Sequence, residues 1–221
     1  MGSITQILFR DSEYIWRKIL EHPFVKELFT GSLSLEKFKY YVMQDYNYLI
    51  AMMKTFSIIA SKAEYEVAKL ALEIAHQDAT IEMENYKELL NELGLNLKDV
   101  IRREPAPTNI SYTSYMISTA LLEPPIYGLT VTLPCFWSYQ YIAENYLKEI
   151  ESINNQLYRK WALTYVSKEY KELVTSLREI IDKLYESKGA DLEKMKQIFK
   201  TASRFEYMFW DMAYRMEKWP L

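Results

Sequence analysis

LEKFKYYVMQDYNYLIAMMKTF, residues 35–56, places Leu35, Phe38, Val42, Asp45, Leu49, Met52 and Phe56 at spacings 3-4-3-4-3-4, and Asp45 alone among them is not apolar. Such spacing lines one face of a helix. The pattern returns near the C-terminus as Met195, Phe199, Ala202, Glu206, Phe209, Ala213 and Met216, where Glu206 is the exception. A third seam, Ala68, Leu72, Ala75, Ala79, Glu82, Tyr86, Leu89 and Leu93, is apolar apart from Glu82 and Tyr86. That stretch is rich in Glu, so chance alignment weighs more there and Glu82 ranks second.

Repeated three-and-four spacing, five Gly in 221 residues and few alternating runs predict an all-α protein. Helices are expected over about 5–20, 35–60, 64–93, 108–121, 125–149, 152–166, 168–187 and 191–217. His22-Pro23 interrupts the first run, Ser34 is the expected N-cap of the second, and Gly94 ends the third. Residues 95–106 read as a loop, and Pro134 as a kink or break in the helix that starts at Pro124-Pro125. There is no repeat or low-complexity linker, so one single-domain helical bundle over 1–221 is the simplest architecture.

Composition excludes several functions. Lys and Arg number 27 against 30 Asp and Glu, a net charge of −3 with no long basic run, which argues against nucleic acid as partner. One Cys permits neither an intrachain disulfide nor a Cys-rich zinc site. His22 and His76 cannot build a three-His metal centre, and the scattered glycines form no phosphate-cradling loop. No metal and no cofactor are expected. The N-terminus has no apolar signal segment, which predicts a cytoplasmic protein. Residues 124–143 carry no charge over a length that could span a bilayer, yet they hold three prolines, hydroxyl residues, a Gln and a Cys. The better reading is a buried helix, not a membrane span, whose polar atoms find partners inside the protein.

A carboxylate in an apolar seam must pair, accept several hydrogen bonds or take up a proton. Asp45 and Glu206 therefore mark a candidate cavity, although each could instead pair with a Tyr hydroxyl or Trp N–H and only fix the packing. Cys135 lies in the uncharged segment. Cysteine is usually a small buried hydrophobe, but a helix end created by Pro134 would lower its thiol pKa. Tyr48, Tyr112, Tyr139 and Tyr165 lie in or beside the apolar helices, in positions suited to line a pocket for a flat, polar, aromatic ligand.

Five stretches carry a resemblance: HPFVKEL (22–28), GSLSLEKFKYYVMQDYNYL (31–49), PTNISYTSYM (107–116), LPCFWSY (133–139) and FEYMFWDMA (205–213). In this order they resemble the TenA/thiaminase II family over essentially the whole chain. The resemblance implies a haem-oxygenase-like helical fold, a homotetramer, and a small-molecule pyrimidine as substrate. It implies deamination of 4-amino-5-aminomethyl-2-methylpyrimidine to the hydroxymethyl form in thiamin salvage, with thiamin cleavage as a related activity. It also implies Cys135 as nucleophile, Asp45 as the carboxylate anchoring the pyrimidine, Glu206 as general acid, and Tyr48, Tyr112, Tyr139 and Tyr165 as pocket residues. Tyr165 rests on the shortest match, WALTY (161–165). At Tyr86, relatives often carry His, which weakens any role carried over for Glu82. The resemblance leaves open whether an aminomethyl pyrimidine, a formylated precursor or thiamin is preferred.

The implied chemistry suits the seam residues. A protonated aminopyrimidine is electron-poor, so a thiolate can add to a ring carbon while an acid assists the leaving group. Desolvation favours a protonated Glu206, and an ionised Asp45 accepts from the amine edge. A non-catalytic pyrimidine-binding or regulatory protein would use the same pocket. A haem enzyme would need His22 as axial ligand, and His22-Pro23 is more simply a turn; a di-iron site would need more histidine.

Overall fold

The periodic seams become helices, and among residues 2–220, which the computed structural model describes, there is no strand. The helices are α1 Ile4–Leu20, α2 Pro23–Thr30, α3 Leu35–Lys62, α4 Tyr65–Gln77, α5 Met83–Glu92, α6 Leu97–Ile101, α7 Pro107–Leu122, α8 Pro125–Asn145, α9 Leu147–Ile150, α10 Gln156–Thr164, α11 Lys168–Lys188 and α12 Leu192–Arg215. A π-helical turn, Asp78–Glu82, joins α4 to α5. No described helix is long and apolar enough to cross a membrane.

Helix boundaries follow local chemistry. His22 closes the gap between α1 and α2 as an N-cap, its Nδ1 accepting from the Phe24 N–H at 3.1 Å. Gly31 ends α2 at φ 76°, the left-handed conformation that glycine adopts without strain. Ser34 occupies the N-cap position of α3 as expected, although its hydroxyl makes no capping bond. Asn155 caps α10, so that helix begins at Gln156 rather than near 152.

Three expectations need correction. The loop over 95–106 contains α6, capped by the Asn96 side chain on the Lys98 N–H at 2.9 Å. The run over 64–93 is not one α-helix, because the π turn divides it. And α8 continues through Pro134 without a break, so Cys135 lies in mid-helix and gains nothing from a helix terminus.

The chain divides into two compact units: residues up to Leu33 with Leu129–Asp211, and Ser34–Gly128 with the segment from Met212 onward. In the first unit, Trp16 is fully buried, stacks on Phe199 with centroids 5.9 Å apart and donates from Nε1 to Ser203 Oγ at 2.9 Å. Asp182 of α11 accepts from the Thr5 N–H at 2.8 Å and so satisfies the start of α1. In the second unit, α3 packs against α4 and α7. Gln44 Oε1 accepts from the Ala106 N–H at 2.9 Å and from Asn109 Nδ2 at 3.0 Å, and Asn109 Nδ2 also donates to the Gln44 carbonyl at 2.7 Å. At the far end of α3, Lys62 Nζ donates to the carbonyls of Ala120 and Leu121, each at 2.9 Å, where α7 runs out of its own donors. A Cβ added at Gly128 would stand 2.7 Å from Ile59 Cγ1, so only glycine permits α8 to approach α3 this closely.

Candidate functional site

In the second unit the anchoring carboxylate expected from the sequence is half-buried. Asp45 stands on α3 one turn before Tyr48. The Tyr48 ring meets the fully buried Tyr112 ring at 5.3 Å, and the Tyr48 hydroxyl donates to Met116 Sδ at 3.6 Å. The α3–α7 clamp made by Gln44 and Asn109 lies beside both tyrosines in sequence, since Gln44 precedes Asp45 and Asn109 precedes Tyr112 by one turn. Tyr86 donates to the Val42 carbonyl at 2.8 Å. Burial raises the Tyr86 phenol pKa, and the negative charge of Asp45 adds to that rise.

The seam assigned to Glu82 does not hold. Leu72, Ala79 and Glu82 are exposed, and the buried face is Val67, Ala71, Ile74, Ala75 and Asp78, then Tyr86 and Leu90. From Asp78 to Tyr86 is eight residues, where two α-helical turns take about seven. The π turn adds the extra residue and rotates the following helix. The buried carboxylate of this run is Asp78, 7% exposed, with Oδ2 lacking a hydrogen-bond partner. Burial, and then the charge of Glu82, raises the Asp78 pKa to about 7. The 4-3-4 spacing of Val67, Ala71, Ile74 and Asp78 was legible in the sequence and points to this residue.

In the first unit, Cys135, Ser138 and Tyr139 follow one another at the i, i+3 and i+4 positions of α8 and share a face. Cys135 is half-buried. Glu206 of α12 is 3% exposed, and Ser138, 1% exposed, donates to its Oε2 at 3.4 Å. Because i and i+3 side chains lie about 5–6 Å apart at Cβ, the Glu206 carboxylate is held one helical turn from the thiol-bearing position. Tyr139 and Tyr165 also meet, with ring centroids 4.8 Å apart, and Trp161 and Trp210 complete the cluster at 5.8 and 5.1 Å from Tyr139. Tyr170 closes its edge, 5.0 Å from the Tyr165 ring, with its hydroxyl donating to the Phe136 carbonyl at 3.0 Å. Ser138 and Gln44 were not anticipated from the sequence. Gln44 was legible from its spacing to Tyr41 and Tyr48; the tie between Ser138 and Glu206 spans 68 residues and was not.

A thiol, a buried carboxylate one turn away and an aromatic wall suit addition of sulfur to a flat heterocycle with proton transfer nearby. Among the described residues no cluster of three or more His, Cys, Asp or Glu could hold a metal ion.

Comparison with known proteins places the chain in a family. The sequence pattern described as the TENA/THI-4/PQQC family matches residues 10–216. An aminopyrimidine aminohydrolase from Helicobacter pylori is 33% identical over 214 residues, covering 96% of this chain and 99% of its own length. A TenA homologue from P. horikoshii OT3 superposes with a TM-score of 0.93 at 46% identity, covering 97% of this chain and 99% of that one. A Shewanella denitrificans domain with a heme oxygenase-like fold superposes with a TM-score of 0.79 at 16% identity, over 96% of this chain and 92% of that one, and so likens the folds alone. Matched from residue 10 to residue 216 and all-α throughout its described length, the chain belongs to the TENA/THI-4/PQQC family.

Proposed function

We propose that this protein is an aminopyrimidine aminohydrolase acting in thiamin salvage, replacing the amine of an aminomethyl pyrimidine with hydroxyl. The observation that carries the reading is the full-length likeness to aminopyrimidine aminohydrolases, 33% identical in Helicobacter pylori and 32% in Bacillus subtilis. The serine-held carboxylate one turn from Cys135 supports it.

In the proposed mechanism Cys135 is the nucleophile. The thiol proton passes to a carboxylate, and the thiolate adds to a ring carbon of the protonated pyrimidine. Glu206 protonates the departing amine, which leaves as ammonia. Water adds at the vacated methylene and gives up its proton, and expulsion of the thiolate restores the aromatic ring. One water is consumed and one ammonia released. Asp45 accepts from the amine edge of the ring, and Tyr48, Tyr112, Tyr139 and Tyr165 supply flat surfaces and hydroxyls for the heterocycle. The reading includes a cytoplasmic homotetramer: Leu121 and Leu122 at the end of α7 are 58% and 77% exposed, which supports burial against another copy.

The deciding experiment incubates the protein with an aminomethyl pyrimidine and with thiamin, monitoring ammonia and thiazole. Ammonia release that disappears in Cys135→Ser, with the fold intact by circular dichroism, is expected. Tight pyrimidine binding in calorimetry with no ammonia released would instead identify a binding protein.

A further inference from the structure

Hydroxyl side chains inside helices ordinarily satisfy themselves on a carbonyl one turn back. Thr55 bonds the Ala51 carbonyl at 2.7 Å, Ser57 the Met53 carbonyl at 2.8 Å, Ser111 the Pro107 carbonyl at 2.8 Å and Thr113 the Asn109 carbonyl at 2.8 Å. Ser138 departs from this habit. It is 1% exposed, and its single hydrogen bond runs away from its own helix to Glu206 Oε2. The separation of 3.4 Å is long for an O–H···O bond, as hydrogen bonds in an unliganded active site commonly are before substrate tightens them.

A hydroxyl is suited to this partner for a chemical reason. It donates to an ionised carboxylate and accepts from a protonated one. A general acid alternates between those two states in each turnover, and a partner limited to donation would oppose one of them.

Resting on the reading of Glu206 as general acid, we infer that Ser138 is the positioning residue for Glu206, holding its carboxyl group toward the Cys135 face of α8 in both protonation states. Ser138 acts through Glu206 and need not touch the pyrimidine. Cys135 and Ser138 share a face of α8, so the helix fixes the spacing between sulfur and carboxyl that the reaction requires.

The test compares Ser138→Ala, Ser138→Thr, Glu206→Gln and the Ser138→Ala/Glu206→Gln double variant in ammonia release from an aminomethyl pyrimidine. Alanine is a good helix former, so the first variant keeps α8. Ser138→Ala should lower kcat about tenfold or more while leaving KM within about twofold, because orientation rather than binding is lost. Ser138→Thr, which restores the hydroxyl, should recover most of kcat. Adding Ser138→Ala to Glu206→Gln should produce no further loss. An unchanged kcat in a folded Ser138→Ala, or equal losses in the Ala and Thr variants, would overturn the inference while a crippled Glu206→Gln leaves the general acid standing. Full activity in Glu206→Gln would remove the general acid, and the role of Ser138 with it.

Discussion

α12 and the α4–α5 run both offer a glutamate to an apolar face, and they treat it differently. α12 keeps one α-helical period from Leu192 to Arg215, so Met195, Phe199, Ala202, Glu206, Phe209 and Ala213 remain on one buried face. The α4–α5 run passes through the π turn at Asp78–Glu82, which takes Glu82 out to solvent and leaves Asp78 inside. One inserted residue decides which acid lies inside, although desolvation by its surroundings raises the Glu82 pKa as well. The two buried acids also differ in company: Glu206 has a hydroxyl donor in Ser138, whereas Asp78 Oδ2 has no hydrogen-bond partner. A hydroxyl partner lets a buried carboxyl group pass between its charged and neutral forms, while one without a partner is driven toward its neutral form.

Four substitutions would break or sharpen that contrast. The largest effect is expected from Glu206→Gln, which should lower the rate of ammonia release by ~10²-fold or more in single-turnover kinetics; a rate within a few fold of native would erase the distinction between the two acids. Asp78→Asn should act on stability instead. The folded pKa of about 7 lies above the ordinary aspartate value of 3.8, so this contribution to stability is full below the lower value and is lost as pH rises to the upper one. Denaturant melts of the native protein should therefore lose stability between about pH 4 and pH 7 and level off above that, and Asp78→Asn should flatten the loss. Equal slopes for the two proteins would show that Asp78 is not the group titrating. Tyr86→Phe removes the 2.8 Å hydrogen bond to the Val42 carbonyl and should cost about 1 kcal/mol in the same melts. Smallest of all, Glu82→Gln should leave turnover within about twofold of native, as expected for an exposed side chain; a large loss would return Glu82 to the site.

The same contrast explains how far the sequence could be read. A strict α period recovered the course of α3 and α12 and put Glu206 on a buried face, but in α3 it favoured Asp45, which is half-buried, over Gln44, which is buried, and it counted Leu35 and Met216, which are exposed. It misplaced the buried acid of α4–α5 because a π turn leaves the composition of the seam unchanged and alters only its phase. Of the kink or break expected at Pro134, the break is absent, and α8 continues in spite of the missing N–H. Cys135, Asp45 and the four tyrosines stood out by residue type and by family resemblance. Ser138 did not, since serine is ordinary in a helix and its partner lies on α12.

The two walls of the aromatic cluster have unequal footing. Tyr139 projects from the middle of the 21-residue α8, whereas Tyr165 stands just past the final residue of the nine-residue α10, where the backbone is turning out of the helix. Terminal turns fray more readily than interiors. On the proposed function, discrimination among departing groups of different bulk, a lone amine or a whole second ring, would then depend on how far one hinged panel swings, so breadth of substrate and local mobility at Tyr165 would rise and fall together.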